Sequence, residues 1–215
     1  MVEKITKYKI GVRKFGYVNW IGFWTIYKKE VLRFLKVWIQ TIISPIISSL
    51  LFFLVLSLAI GDTRSNMLGF PFMTFLAPGL IAMQVIQQAF SHSSSAFLIA
   101  KVQGNIVDIL YAPVSPAEVT LATSLGATTR SFMIAIISIF IFSFIVDIQI
   151  KNFYLLFFYT FISSFILSSV GIITGIWAEK FDHVASITNF IIVPLSFLSG
   201  TFYTIQNLPE MIQSV

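Results

Sequence analysis

Five apolar stretches, at about 37–60, 73–100, 119–146, 153–178 and 184–202, leave this chain little choice of fold. A helix rises 1.5 Å per residue, so about 20 apolar residues cross a hydrocarbon core of roughly 30 Å. Nothing in that core can take up unpaired backbone N–H and C=O groups, and a helix satisfies them within its own segment. The composition agrees. Hydrophobic residues make up 57% of the 215-residue chain and charged residues only 11%, against about 25% charged in soluble domains. The sequence therefore predicts an all-α integral membrane protein with about five transmembrane helices, preceded by an amphipathic interfacial helix. Residues 1–36 form a basic segment and that interfacial helix, and 37–215 form the transmembrane domain.

Charge sets the expected orientation. Lys4, Lys7, Lys9, Arg13, Lys14, Lys28, Lys29, Arg33 and Lys36 all precede the first span, and they are nine of the 14 cations. Cations gather on the cytoplasmic side of membrane proteins, which predicts a cytoplasmic N-terminus. Five spans then place Lys101 and Lys180 inside and Arg64 and Lys151 outside. The net charge of +5 is thereby read as topology and attraction to membrane lipids, with no nucleic-acid partner. No short apolar core with a small-residue cleavage site precedes the first span, so no cleavable signal peptide is expected.

Around the first span, Trp20, Trp24, Tyr27, Val31, Phe34, Leu35 and Trp38 recur at helical spacing, with Lys29, Arg33 and Lys36 opposite. That pattern predicts a helix lying in the membrane interface, aromatics toward acyl chains and cations toward headgroups. Ser44-Pro45 should kink the first span, with a nearby Ser or Thr satisfying the freed carbonyl. Residues 61–66 and 147–152 read as outer loops and 179–183 as an inner one.

The second half of the second span carries Gln84, Gln87, Gln88, Ser91, His92, Ser93, Ser94 and Ser95. Amides and hydroxyls need partners in hydrocarbon, so this face should meet other helices or a watery path. Gln84 and Gln87 are candidates for either role. Arg130, in the third span, reads in two ways. It is an arginine reaching back to the interface or pairing with Glu118, or it is an anion contact for a phosphate-bearing substrate. Gly171-Ile-Ile-Thr-Gly175 has the small-xxx-small spacing that lets helices approach closely.

Much chemistry is absent. There is no cysteine, no phosphate-binding loop, no dinucleotide fingerprint, no metal-ligand cluster and no nucleophile–base pairing. No enzyme and no cofactor is expected. His92 has no second His, Asp or Glu at ligand spacing. The acids all sit in or near loops, and none reads as buried in a span, which counts against a carrier driven by protons or sodium.

The segment between the second and third spans is more than a connector. Lys101 opens it, Ile106-Val-Asp-Ile-Leu110 follows as a short helix-like run, and Pro113 and Pro116 close it. By the charge asymmetry it is cytoplasmic.

Taken together, the Tyr27-Lys-Lys-Glu-Val-Leu-Arg-Phe34 helix, Phe75-Leu-Ala-Pro-Gly-Leu80, Ile106-Val-Asp-Ile-Leu110 with Ala112-Pro-Val-Ser-Pro116, and Ile176-Trp-Ala-Glu-Lys-Phe-Asp-His183 with Pro194-Leu-Ser-Phe-Leu-Ser-Gly200 resemble the permease subunit of type-2 ABC exporters of the bacterial inner membrane. The order and spacing of these pieces carry the likeness from Tyr27 onward. The resemblance implies a homodimer of permeases working with a separate ABC ATPase subunit. It implies that the 101–116 segment docks on that ATPase through Gln103, Asn105, Asp108 and Tyr111, and that about 199–211 forms an outer re-entrant gate. It also implies six spans, and the sequence stops where the sixth is expected. The competing readings are an ATP-independent secondary carrier and a non-transporting membrane scaffold.

Overall fold

In the computed structural model, residues 16–60, 66–67, 70–148 and 150–198 are described. The expected gate at 199–211, the basic segment up to residue 15 and most of the 61–66 loop lie outside them.

Eight α-helical segments follow in order. They are α1 (Trp20–Lys36), α2 (Ser44–Ile60), α3 (Phe72–Val102), α4 (Ile106–Tyr111), α5 (Pro116–Phe142), α6 (Phe153–Trp177), α7 (Phe181–Ile187) and α8 (Val193–Leu198). Five runs are long and apolar enough to cross a membrane: Ile39–Ala59, Phe72–Val102, Pro116–Phe142, Phe153–Trp177 and Phe181–Leu198. The third span thus starts earlier and ends earlier than 119–146. A capping box starts it at Ser115, whose hydroxyl accepts from Glu118 N while the Glu118 carboxylate accepts from Ser115 N. Four orphan N–H groups at a helix start favour such a boundary. Between α2 and α3, Asn66–Met67 and Phe70–Pro71 pair as a minimal antiparallel ladder.

Two prolines shape the chain in the same way. π-helical turns at Ile39–Ile43 and Thr188–Ile192 lie just before Pro45 and Pro194. A proline has no N–H to give to the carbonyl four residues back, and a local widening to i→i+5 bonding accommodates the break. At Pro45 that carbonyl belongs to Thr41. Its partner is the Arg130 guanidinium, at 3.1 Å. The expected Ser or Thr partner is therefore replaced by a charged donor from another span.

The bundle is organised around α3, which packs most extensively on α6 and next on α5. The α3–α6 seam is built from small residues. A Cβ at Gly171 would meet Ser93 Oγ and lie 2.6 Å from the Phe90 carbonyl, and one at Gly175 would lie 2.6 Å from the Ser94 carbonyl. The small-xxx-small spacing has become backbone-close packing. Lys101 Nζ then caps the end of α6, donating to the Ile176 and Ala178 carbonyls, a favourable place for a cation. An apolar cluster of Phe53, Phe72, Leu76, Leu80, Ala135 and Phe142 closes the far end of the bundle, with Phe53 and Phe142 edge to face at 5.2 Å. On the outer surface of α6, Phe153, Phe157, Phe158, Ile166 and Ile173 are exposed. That apolar exterior suits lipid contact.

Part of the α1 stripe expected to face acyl chains turns inward instead, at Phe34. Asn19, Glu30 and Phe34 are buried, while Trp20, Trp24, Leu35 and Trp38 are exposed. Helix α1 packs on α5, and Gly126 of α5 makes room for Glu30, whose Cβ lies 2.8 Å from where a Cβ at Gly126 would stand. The tryptophans of the stripe are left outward, available to acyl chains, and an acidic residue takes the buried seam.

Candidate functional site

The start of α1 is stitched to the 101–116 segment. Asn19 caps α1 by accepting from Gly22 N at 3.0 Å, and its amide donates to the Pro113 carbonyl at 2.8 Å. Its own backbone N–H donates to Glu118 Oε1 at 2.7 Å. One asparagine therefore ties together α1, the proline turn after α4, and the first turn of α5. The segment itself turns at Gly104, whose φ of 77° is open to glycine. Helix α4 follows, with Asp108 in its first turn, where a negative charge suits the helix dipole. Ile106 and Ile109 are half-buried, and Val107, Asp108, Leu110 and Tyr111 are exposed, as are Gln103 and Asn105. The structure thus gathers Gln103, Asn105, Asp108 and Tyr111 onto one exposed element. A cavity of about 660 Å³ separates it from α1, lined by Asn19, Gly22, Lys29, Gln103, Asn105 and Asp108 among others.

Behind that cavity lies a buried charge cluster that the sequence did not reveal. Glu30 Oε2 sits 2.9 Å from Arg33 Nη2 and 3.3 Å from His92 Nε2. Arg33 also donates to the His92 carbonyl at 2.8 Å and to Ser95 Oγ at 3.4 Å. Glu30 is 3% exposed and His92 1%. Burial pushes the Glu30 carboxyl up, but His92, Arg33 and Lys29 together outweigh it and hold the carboxyl below its ordinary value. Two sequence expectations are corrected here. Glu30, read as in or near a loop, is buried within α1, as is Glu118 at the start of α5, and His92 does have a carboxylate partner, 62 residues away in the chain. Glu30 belongs to α1, outside the five spans, so it escaped an inspection of acids within spans.

Arg130 does not pair with Glu118. It is 7% exposed, and its Nη2 donates to Gln88 Oε1 at 2.5 Å as well as to Thr41 O. No carboxylate among the described residues stands within ion-pair distance of it. It lines a second cavity of about 590 Å³ between the first span, α3 and α5. Gln84, Gln87 and Gln88 line the same cavity. Arg33 lines both cavities and is the link between the exposed segment and the interior.

The structure brings Gln84, Gln87 and Arg130, each singled out in the sequence, to one cavity. The sequence missed Asn19, Glu30, Arg33 and Gly126. Only the offset of Glu30 by four residues from Phe34 hinted at a shared face. Among the described residues there is no cluster of three His, Asp or Glu side chains suited to a metal ion.

Comparison with known proteins bears on this arrangement. Residues 21–215 match the ABC-2 type transporter family. The chain is 32% identical over 200 residues to the inner membrane transport permease YadH of Escherichia coli strain K12, covering 93% of this chain and 78% of that protein. The same figures hold for the YadH permeases of Escherichia coli O157:H7 and Shigella flexneri. No solved structure matches the chain.

Proposed function

The chain belongs to the ABC-2 type transporter family, a multi-pass membrane transport permease, and on that premise we propose that it is the membrane subunit of an exporter driven by a separate ATPase. Two copies would form the path, with the N-terminus and the 101–116 segment on the cytoplasmic side. The charge asymmetry of the sequence supports that orientation.

One observation carries the coupling role: an exposed short helix whose following turn is hydrogen-bonded to the start of α1. Helix α4 offers Asp108 and Tyr111 to a partner, and Gln103 and Asn105 flank it. A push on α4 passes through the Pro113 carbonyl to Asn19 and so to α1. Helix α1 carries Glu30 and Arg33 into the seam beside His92. Helix α3, which carries His92 and the cavity-lining glutamines, would receive the movement. Energy used outside the membrane can thereby alter the polar cavity.

The test is co-purification with the ATPase of the same transport system, followed by ATPase rates in reconstituted vesicles. Asp108→Lys should weaken the complex and the permease-dependent rate, and Lys151→Glu, on an exposed residue outside this segment, should leave both unchanged. Equal behaviour of the two variants would remove α4 from the coupling role. Transport that persists without ATP hydrolysis and collapses with an ionophore would replace this reading by a secondary carrier.

A further inference from the structure

The cavity beside Arg130 holds donors that have no acceptor. Arg130 Nε, Arg33 Nε and Gln87 Nε2 are buried and have no partner among the described protein groups. All three residues line the same 590 Å³ space. The charges do not balance either. Glu30 is engaged with Arg33 and His92, which leaves the Arg130 guanidinium with only the neutral Gln88 and Thr41 oxygens. A buried cation without a counter-charge is costly, all the more inside a membrane. Its planar fork suits carboxylate or phosphate oxygens. The volume is in the range of small-ligand sites, with room for more than an isolated anion.

We infer that this cavity binds a phosphate-type oxyanion, with Arg130 as its anchor and Gln87 as a second donor, so that the permease takes a substrate bearing a phosphate ester. Gln88 and the Thr41 carbonyl orient the Arg130 fork, and the carbonyl is free to do so because Pro45 cannot bond it. The same chemistry is presented by a lipid headgroup and by a free phosphate. This deepens the view of the cavity as part of the transport path. Binding is measured without ATPase, so its failure leaves the α4 coupling unaffected, and a missing ATPase complex leaves binding unaffected.

The experiment uses the full chain purified in a maltoside detergent and titrated with either inorganic phosphate or a short-chain phosphatidic acid, with thermal unfolding and calorimetry as readouts. Saturable binding of at least one probe is expected. Arg130→Gln should weaken it tenfold or more, and Arg130→Lys, which keeps the charge but loses the fork, should weaken it less. Gln87→Leu should weaken it several-fold and provides the test if Arg130→Gln does not fold. Lys180→Gln, on an exposed cation away from the cavity, should change nothing. Binding of phosphate alone would indicate a free anion, and binding of only the lipid ester would indicate a headgroup. The absence of saturable binding by both probes, or equal binding by wild type and the Arg130→Gln or Gln87→Leu variant, overturns the proposal.

Discussion

The Glu30–Arg33 pair allows a prediction in which the order of two effects matters more than either size. Breaking a fully buried ion pair by removing one partner costs about 3–5 kcal/mol, because a desolvated charge is left behind. The two partners are not equally buried. The Glu30 side chain is 4% exposed and that of Arg33 is 26% exposed. Arg33→Gln therefore strands a buried carboxylate, with only His92 and the more distant, half-exposed Lys29 beside it, and should cost close to the full amount, about 3–5 kcal/mol. Glu30→Gln strands a guanidinium that keeps its bonds to the His92 carbonyl and Ser95 and is partly wetted. Its cost should be smaller, about 1–3 kcal/mol. The double variant removes both charges, and its cost should fall short of the sum of the singles by about 1.5 kcal/mol or more. Loss of helical signal during titration with a denaturing detergent, measured on all four proteins in one mild-detergent background, supplies the cycle. If Glu30→Gln is the more damaging single change, or if the costs simply add, the seam between α1 and α3 is not held by this pair and the route from α4 to the cavity loses its middle step.

Other consequences can be checked on the same material. The Glu30 carboxyl is held below its ordinary value of 4.5. Its contribution to stability is therefore complete above that pH and disappears as the pH falls through the lower folded value; Glu30→Gln should flatten the acid limb of a stability–pH profile, and an unchanged limb would contradict the ion pair. Ala is normally better than Gly inside a helix by about 1 kcal/mol. At Gly171, however, the new methyl would press on the Phe90 carbonyl, and overpacking costs about 1–3 kcal/mol. Gly171→Ala should therefore destabilise in a thermal melt, and a rise in melting temperature would refute the close α3–α6 approach. Asn19→Ala removes a helix cap worth about 1 kcal/mol together with the tie to Pro113. It should lower permease-dependent ATPase activity while leaving ATPase binding intact, and full activity would show that α1 does not relay the movement of α4.

Much of this protein could be read along the chain. Apolar length placed the five spans, and the boundaries shifted mainly where a cap intervened, as at Ser115. Gly171 and Gly175 announced a close helix contact, and the polar run from Gln84 to Ser95 announced a face in need of partners, where the structure has a cavity. The proline–glycine punctuation around α4 announced a structured connector. These are local signals, carried by residues within a turn or two of one another, and backbone geometry translates them directly into helices and faces.

What could not be read was which face meets which. The joining of Glu30 to His92, of Asn19 to Pro113 across 94 residues and of Thr41 to Arg130 across 89 depends on how helices from distant parts of the chain pack. Hydrophobic periodicity assigned the aromatics of α1 to acyl chains but named no residue for its buried side. The packing of α1 on α5 at Gly126 gave it to Glu30, because a carboxylate with cationic partners can be buried and tryptophans beside a membrane need not be. The sequence determined that the chain spans a membrane, and where. Only the tertiary structure decided that one arginine would stand in the interior with neutral partners, since that depends on a proline in one span, a glutamine in the next and the absence of an acid from both.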